Sequence, residues 1–237
     1  MQIYTQYLLG FDARVSQANP FYRERMPQHK RRFLLSFVPA FFCSVSNELW
    51  PSLFEEPQDT EQDKRKIEEA GLVQIPKPEW IGPNSGCWDD LVDMYAHLEQ
   101  YHDPISYPFE VVALTWVTYR DLCRRHTYGG PYLESTLPSH KYPSWKLLGY
   151  DVADGSKWSA LTWYHSENEL HELRRKFGPR LNKLHLFKKR KDALRYCAFA
   201  NQEIRHYTHI FQVYGIWRVA TIRSYEDLVL QQSMVKN

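Results

Sequence analysis

The sequence predicts an α+β fold, a single domain over residues 1–237 in which an antiparallel or mixed sheet packs against helices. Three observations lead there. Two apolar stretches rich in β-branched and aromatic residues, WKLLGYDVAD at Trp145–Asp154 and IFQVYGIWRV at Ile210–Val219, read as partner strands. A polar, helix-patterned middle separates them, giving the order strand, helix, helix, strand. The chain has 237 residues, 43% hydrophobic and 24% charged, enough to bury a real core.

At the N-terminus, IYTQYLL alternates as a strand should, and Gly10 is placed to end it. Arg23, Arg25, Lys30, Arg31 and Arg32 precede an apolar run, Phe33–Ser46, which contains Pro39. That run is shorter than the roughly 20 residues a membrane span needs, so it reads as buried core. Residues 55–70 form a charged, exposed helix that Asp59 or Thr60 can cap and Gly71 can close. Pro76, Pro78 and Pro83 then exclude a continuous helix, leaving a linker or an ordered loop.

The segment Cys87–Asp103 reads as an amphipathic helix with Leu91, Met94, Tyr95 and Leu98 on its buried face. Asp89, Asp90 and Asp93 crowd its start, where negative charge favours the helix dipole. EVVALTWVTYRDLCRRH, residues 110–126, reads as a helix by its length, although its β-branched residues pull toward a strand. A turn-rich loop over residues 127–144 leads to the C-terminal unit. There Ser166 and Glu169 make a capping box for a helix that Gly178 stops. A second helix follows, with Ala193, Leu194, Cys197, Ala198 and Ile204 as its apolar face.

Charge is unevenly distributed. Residues 1–110 carry 17 acidic against 10 basic side chains, and the remainder 11 against 20. This suggests an acidic part, 1–126, and a basic α+β unit, 145–237. Arg174, Arg175, Lys176, Arg180, Lys183, Lys188, Lys189, Arg190, Lys191 and Arg195 fall in one tract with Asp192 as its lone acid. Such a tract suits an acidic protein surface or a phosphate backbone, but no helix-turn-helix, zinc-finger or RNP pattern accompanies it.

Catalytic and metal patterns are sparse. Cys43, Cys87, Cys123 and Cys197 match no zinc spacing, and the cysteine usage fits a reducing compartment. His206 and His209, three apart, lack the intervening glutamate of a metalloprotease helix. Asp151, Asp154 and His165 are the residues a hydrolase would use, although Asp154–Gly155 is also ordinary turn chemistry. No secretory leader pattern opens the chain, so a cytoplasmic protein with no membrane contact, cofactor or metal is expected.

GYDVAD at Gly149–Asp154, LNKLHLF at Leu181–Phe187 and VYGIWRV at Val213–Val219 resemble a pattern in bacterial immunity proteins of toxin systems. The resemblance covers the C-terminal third. It implies a non-catalytic cytoplasmic protein that neutralises a cognate toxin by covering it. Asp89, Asp90, Asp93, Arg174, Arg175, Lys188, Lys189, Arg190 and Lys191 are the candidate contacts, chosen for their charge. The alternatives are nucleic-acid binding through the 174–195 tract, or a hydrolase.

Overall fold

The computed structural model describes residues 4–16, 18–20, 52–55, 65, 68, 72–78, 87–119, 144–153, 175–182, 184, 186–203 and 211–236. Their elements are β1 (Tyr4–Val15), α1 (Leu91–Gln100), β2 (Phe109–Tyr119), β3 (Lys146–Ala153), a 3-10 turn (Gly178–Arg180), α2 (Arg190–Glu203), β4 (Gln212–Ile222) and α3 (Tyr225–Lys236). The strands form one antiparallel sheet in the order β1-β2-β4-β3. The fold is α+β, and both halves of the chain contribute two strands to that sheet. None of the helices among the described residues is long and apolar enough to cross a membrane.

The expected pairing of the Trp145 and Ile210 stretches is present as β3 against β4. Two expectations are corrected. Gly10 does not end β1; the strand passes through it at a bulge and continues to Val15. The run from Glu110 is strand, not helix, as far as Tyr119. Its continuous apolar character is that of a central strand, with Val111, Val112, Ala113 and Leu114 buried on alternating sides. The 33–46 run and most of the 166–178 helix lie outside the described residues; Arg175–Phe177 is helical, and within 55–70 Arg65 and Glu68 are helical and exposed. The C-terminal helix α3 had no counterpart in the sequence reading.

The same unit is built twice. Leu8-Leu9-Gly10-Phe11-Asp12-Ala13 in β1 reads against Leu147-Leu148-Gly149-Tyr150-Asp151-Val152 in β3. Phe109-Glu110-Val111-Val112-Ala113-Leu114 in β2 reads against Phe211-Gln212-Val213-Tyr214-Gly215-Ile216 at β4. The registers agree: Phe11 faces Ala113 as Tyr150 faces Gly215, and Asp12 faces Val112 as Asp151 faces Tyr214. Each edge strand bulges at the same place, between Leu8 and Gly10 and between Leu147 and Gly149. Gly10, Leu114, Ile216 and Gly149 form one row across the sheet, so a local two-fold axis passes between Leu114 and Ile216.

The bulge glycines have a defined task. Gly10 has φ 150° and Gly149 φ 155°. A Cβ on Gly10 would meet Trp88 O at 2.6 Å and Cys87 Cβ at 2.8 Å; one on Gly149 would meet Leu186 Cβ at 2.6 Å and Phe187 O at 3.0 Å. The missing side chains let Trp88 bridge to Phe11 and Phe187 bridge to Tyr150, which caps both sheet edges. In each half the bridge leads directly into a helix, α1 or α2.

The core follows the same duplication. Phe11, Ala13, Trp88, Phe109 and Val111 pack with Met94, Tyr95 and Leu98 of α1. Tyr150, Val152, Phe187, Phe211 and Val213 pack with Ala193, Tyr196 and Ala200 of α2. On the opposite face a third cluster joins equivalent residues across the axis: Cys87 and Leu186, Leu9 and Leu148, Leu114 and Ile216. Trp217 Nε1 donates to Thr115 Oγ1 at 3.1 Å, a bond between two equivalent positions.

Candidate functional site

The structure places the predicted acidic and basic contacts at opposite edges of the sheet. Asp89, Asp90 and Asp93 stand beside the β1 edge, after the Trp88 bridge. Lys188, Lys189, Arg190 and Lys191 stand beside the β3 edge, after the Phe187 bridge. Counted from the two bridges, Asp89 and Asp90 correspond to Lys188 and Lys189, with opposite charge, whereas Asp93 corresponds to Asp192, an acid in both halves.

The acidic group has a structural explanation. Asp90 is the N-cap of α1; Oδ1 accepts from Val92 N at 2.5 Å and from Asp93 N at 3.4 Å. Asp93 lies in the first helical turn, and Asp89 and Asp93 are exposed. These charges complement the positive end of the helix.

At α2 the charges oppose the helix. Lys188, Lys189 and Lys191 are exposed before and within its first turn, and Arg195 is exposed one turn later. Asp192 is the acid in that turn, and it is buried, accepting from Arg180 Nη1 at 3.4 Å. Other cations of the tract are used internally. Lys176 lies over the Phe199 ring at 4.5 Å, and Arg180 over the Phe177 ring at 5.5 Å. Arg175 and Arg190 also have partners. Arg174 and Lys183 lie outside the described residues.

The hydrolase residues are only partly described. Asp151 is 1% exposed on β3, and its Oδ1 accepts from Val152 N at 2.7 Å. Asp12 repeats this arrangement in the first half, accepting from Ala13 N at 2.9 Å. Asp151 thus occupies a repeated strand position. Asp154, His165, His206 and His209 lie outside the described residues. Cys197 donates to Phe211 O at 3.1 Å, and Asn201 receives from Phe211 N and donates to the same carbonyl, fastening α2 to β4. Burial pushes the Cys197 thiol up to about 12, so it is protonated at neutral pH and is a poor nucleophile. Among the described residues no group of three His, Cys, Asp or Glu could hold a metal.

An ionic cluster that the linear sequence does not reveal lies on the sheet face opposite α1 and α2. Arg14 Nε donates to Asp12 Oδ2 at 2.5 Å, with both side chains buried. Ser52 Oγ donates to Asp12 Oδ1 at 2.9 Å. Arg218 Nη2 donates to Glu110 Oε1 at 2.7 Å. The signal available in the sequence was the alternation of charge with apolar residues at Asp12, Arg14 and Glu110. It becomes a cluster only when β1, β2 and β4 pair.

Comparison with protein-family models, curated proteins and solved structures finds no match.

Proposed function

We propose that this chain is a non-catalytic, cytoplasmic protein-binding protein of the bacterial immunity type, which neutralises a toxin by placing the basic start of α2 against an acidic surface. The observation that carries the reading is the charge at that helix start. Three exposed lysines sit where the dipole disfavours cations, by about 0.3–1 kcal/mol per charge near a helix terminus. Their charges work against the dipole of α2, whereas Asp89 and Asp90, at the places of Lys188 and Lys189, complement that of α1. An anionic partner gives the lysines a role.

The test is binding and protection by the full chain and by a Lys188→Glu, Lys189→Glu, Lys191→Glu variant, using the toxin candidate encoded beside it. The wild type should form a stoichiometric complex and protect cells. The variant should bind at least about tenfold more weakly with an unchanged unfolding midpoint. Undiminished affinity in the variant removes the α2 contact. A duplex oligonucleotide bound with a steep salt dependence, with no toxin complex, would replace this reading by nucleic-acid binding.

A further inference from the structure

The two halves provide an internal control for one group of charges. In the second half the positions of Asp12, Arg14 and Glu110 hold Asp151, Ala153 and Gln212. In the first half the counterpart of Arg218 is Trp116. The same registers, edge bulge and bridge form with Ala153, Gln212 and Trp116 at those places, so the backbone plan does not require Arg14, Glu110 or Arg218. Replacing a buried ion pair by apolar packing of similar volume is often neutral or stabilising. Their retention on one side of the axis calls for another role.

Lys146 extends the cluster into solvent. It lies directly opposite Arg218 across the β3–β4 ladder, on the same face. Like charges in that relation repel. The equivalent pair in the first half is Tyr7 opposite Trp116, which carries no charge. The Lys146 side chain is exposed and, among the described residues, makes no hydrogen bond or ion pair. The Arg218 side chain is 31% exposed; Glu110 holds its Nη2, while its buried Nε has no partner.

We propose that Lys146 and Arg218 form a binding site for a small oxyanion, a phosphate or a carboxylate, with Glu110 as the positioning residue that aims the Arg218 guanidinium. An oxyanion relieves the Lys146–Arg218 repulsion and accepts from the solvent-exposed part of the Arg218 guanidinium, which Glu110 holds in place from its buried side. Glu110 is 9% exposed in its side chain and receives a 3.5 Å hydrogen bond from Ser16 Oγ, which keeps it in place. The site is on the face away from α2 and does not depend on the protein-binding reading.

The experiment is the unfolding midpoint of the full chain titrated with inorganic phosphate and, separately, with citrate, at ionic strength held constant with sodium chloride. A saturable rise is expected for at least one of them, and the stronger ligand identifies the preferred anion class. In Lys146→Ala, an exposed change that leaves the buried pairs intact, half-saturation should move about tenfold higher. Lys236→Ala, at an exposed lysine at the end of α3, should leave the curve unchanged. The proposal is overturned if neither anion exceeds the chloride control, or if Lys146→Ala titrates like the wild type.

Discussion

The two halves of the sheet share a backbone plan and differ in what they place on it. Both make an edge strand that bulges beside a glycine, a one-residue bridge, a helix and a central strand. The first half keeps a buried ion pair, Asp12–Arg14, on the far face, places Glu110 against Arg218 of the second half, and carries acids at its helix start. The second half carries Ala153 and Gln212 in place of the charges and lysines at its helix start. What is common to both halves is what the fold needs. What differs between them is free to serve binding, and both proposals above rest on such differences.

The largest expected effect tests the common part. Gly10→Ala and Gly149→Ala each force a Cβ into backbone or side-chain atoms and strain a positive-φ residue. Each should cost about 3 kcal/mol or more in urea unfolding. Similar losses at the two sites would confirm that the bulges are equivalent; tolerance at one alone would break the comparison.

A smaller loss is expected in the part that differs. Glu110→Gln copies the residue of the second half but leaves Arg218 without its carboxylate. Because Arg218 is partly exposed, water screens the change, and about 1–2 kcal/mol should be lost. An unchanged stability would mean that the first half tolerates the neutral residue as well as the second does.

The mildest effect is alkaline. Burial raises the Cys197 thiol from 9.0 to about 12, and raises Tyr150 and Tyr196 in the second half and Tyr95 in the first. For each, the folded state holds its proton more tightly than the unfolded chain. Stability is therefore fully present below about pH 9 and falls as pH rises from there toward 12. Cys197→Ala should lower the pH dependence of the unfolding midpoint over that window. An identical slope would show that the tyrosines alone account for it.

Much of the local structure was legible. The α1 face of Met94, Tyr95 and Leu98 followed from spacing, and β3 and β4 from their β-branched and aromatic content. β2 was misread because burial on both faces removes the alternation that distinguishes a strand, and the window ran beyond Tyr119. α3 was overlooked although Ser224 and Asp227 form a capping pair, with Asp227 N donating to Ser224 Oγ at 3.4 Å. The repeat escaped because its two matching pieces are short and the segment between bulge and bridge is far longer in the first half.

The sequence by itself determined the fold class, the helix and strand propensities, and the segregation of charge along the chain. Those depend on neighbours a few residues apart. Tertiary structure alone decided that Gly10 and Gly149 occupy one row, that Arg218 meets Glu110, and that the acidic and basic helix starts lie at opposite edges. Each of these relations is made by strand register between distant residues. A shift of one residue would turn every such side chain to the other face.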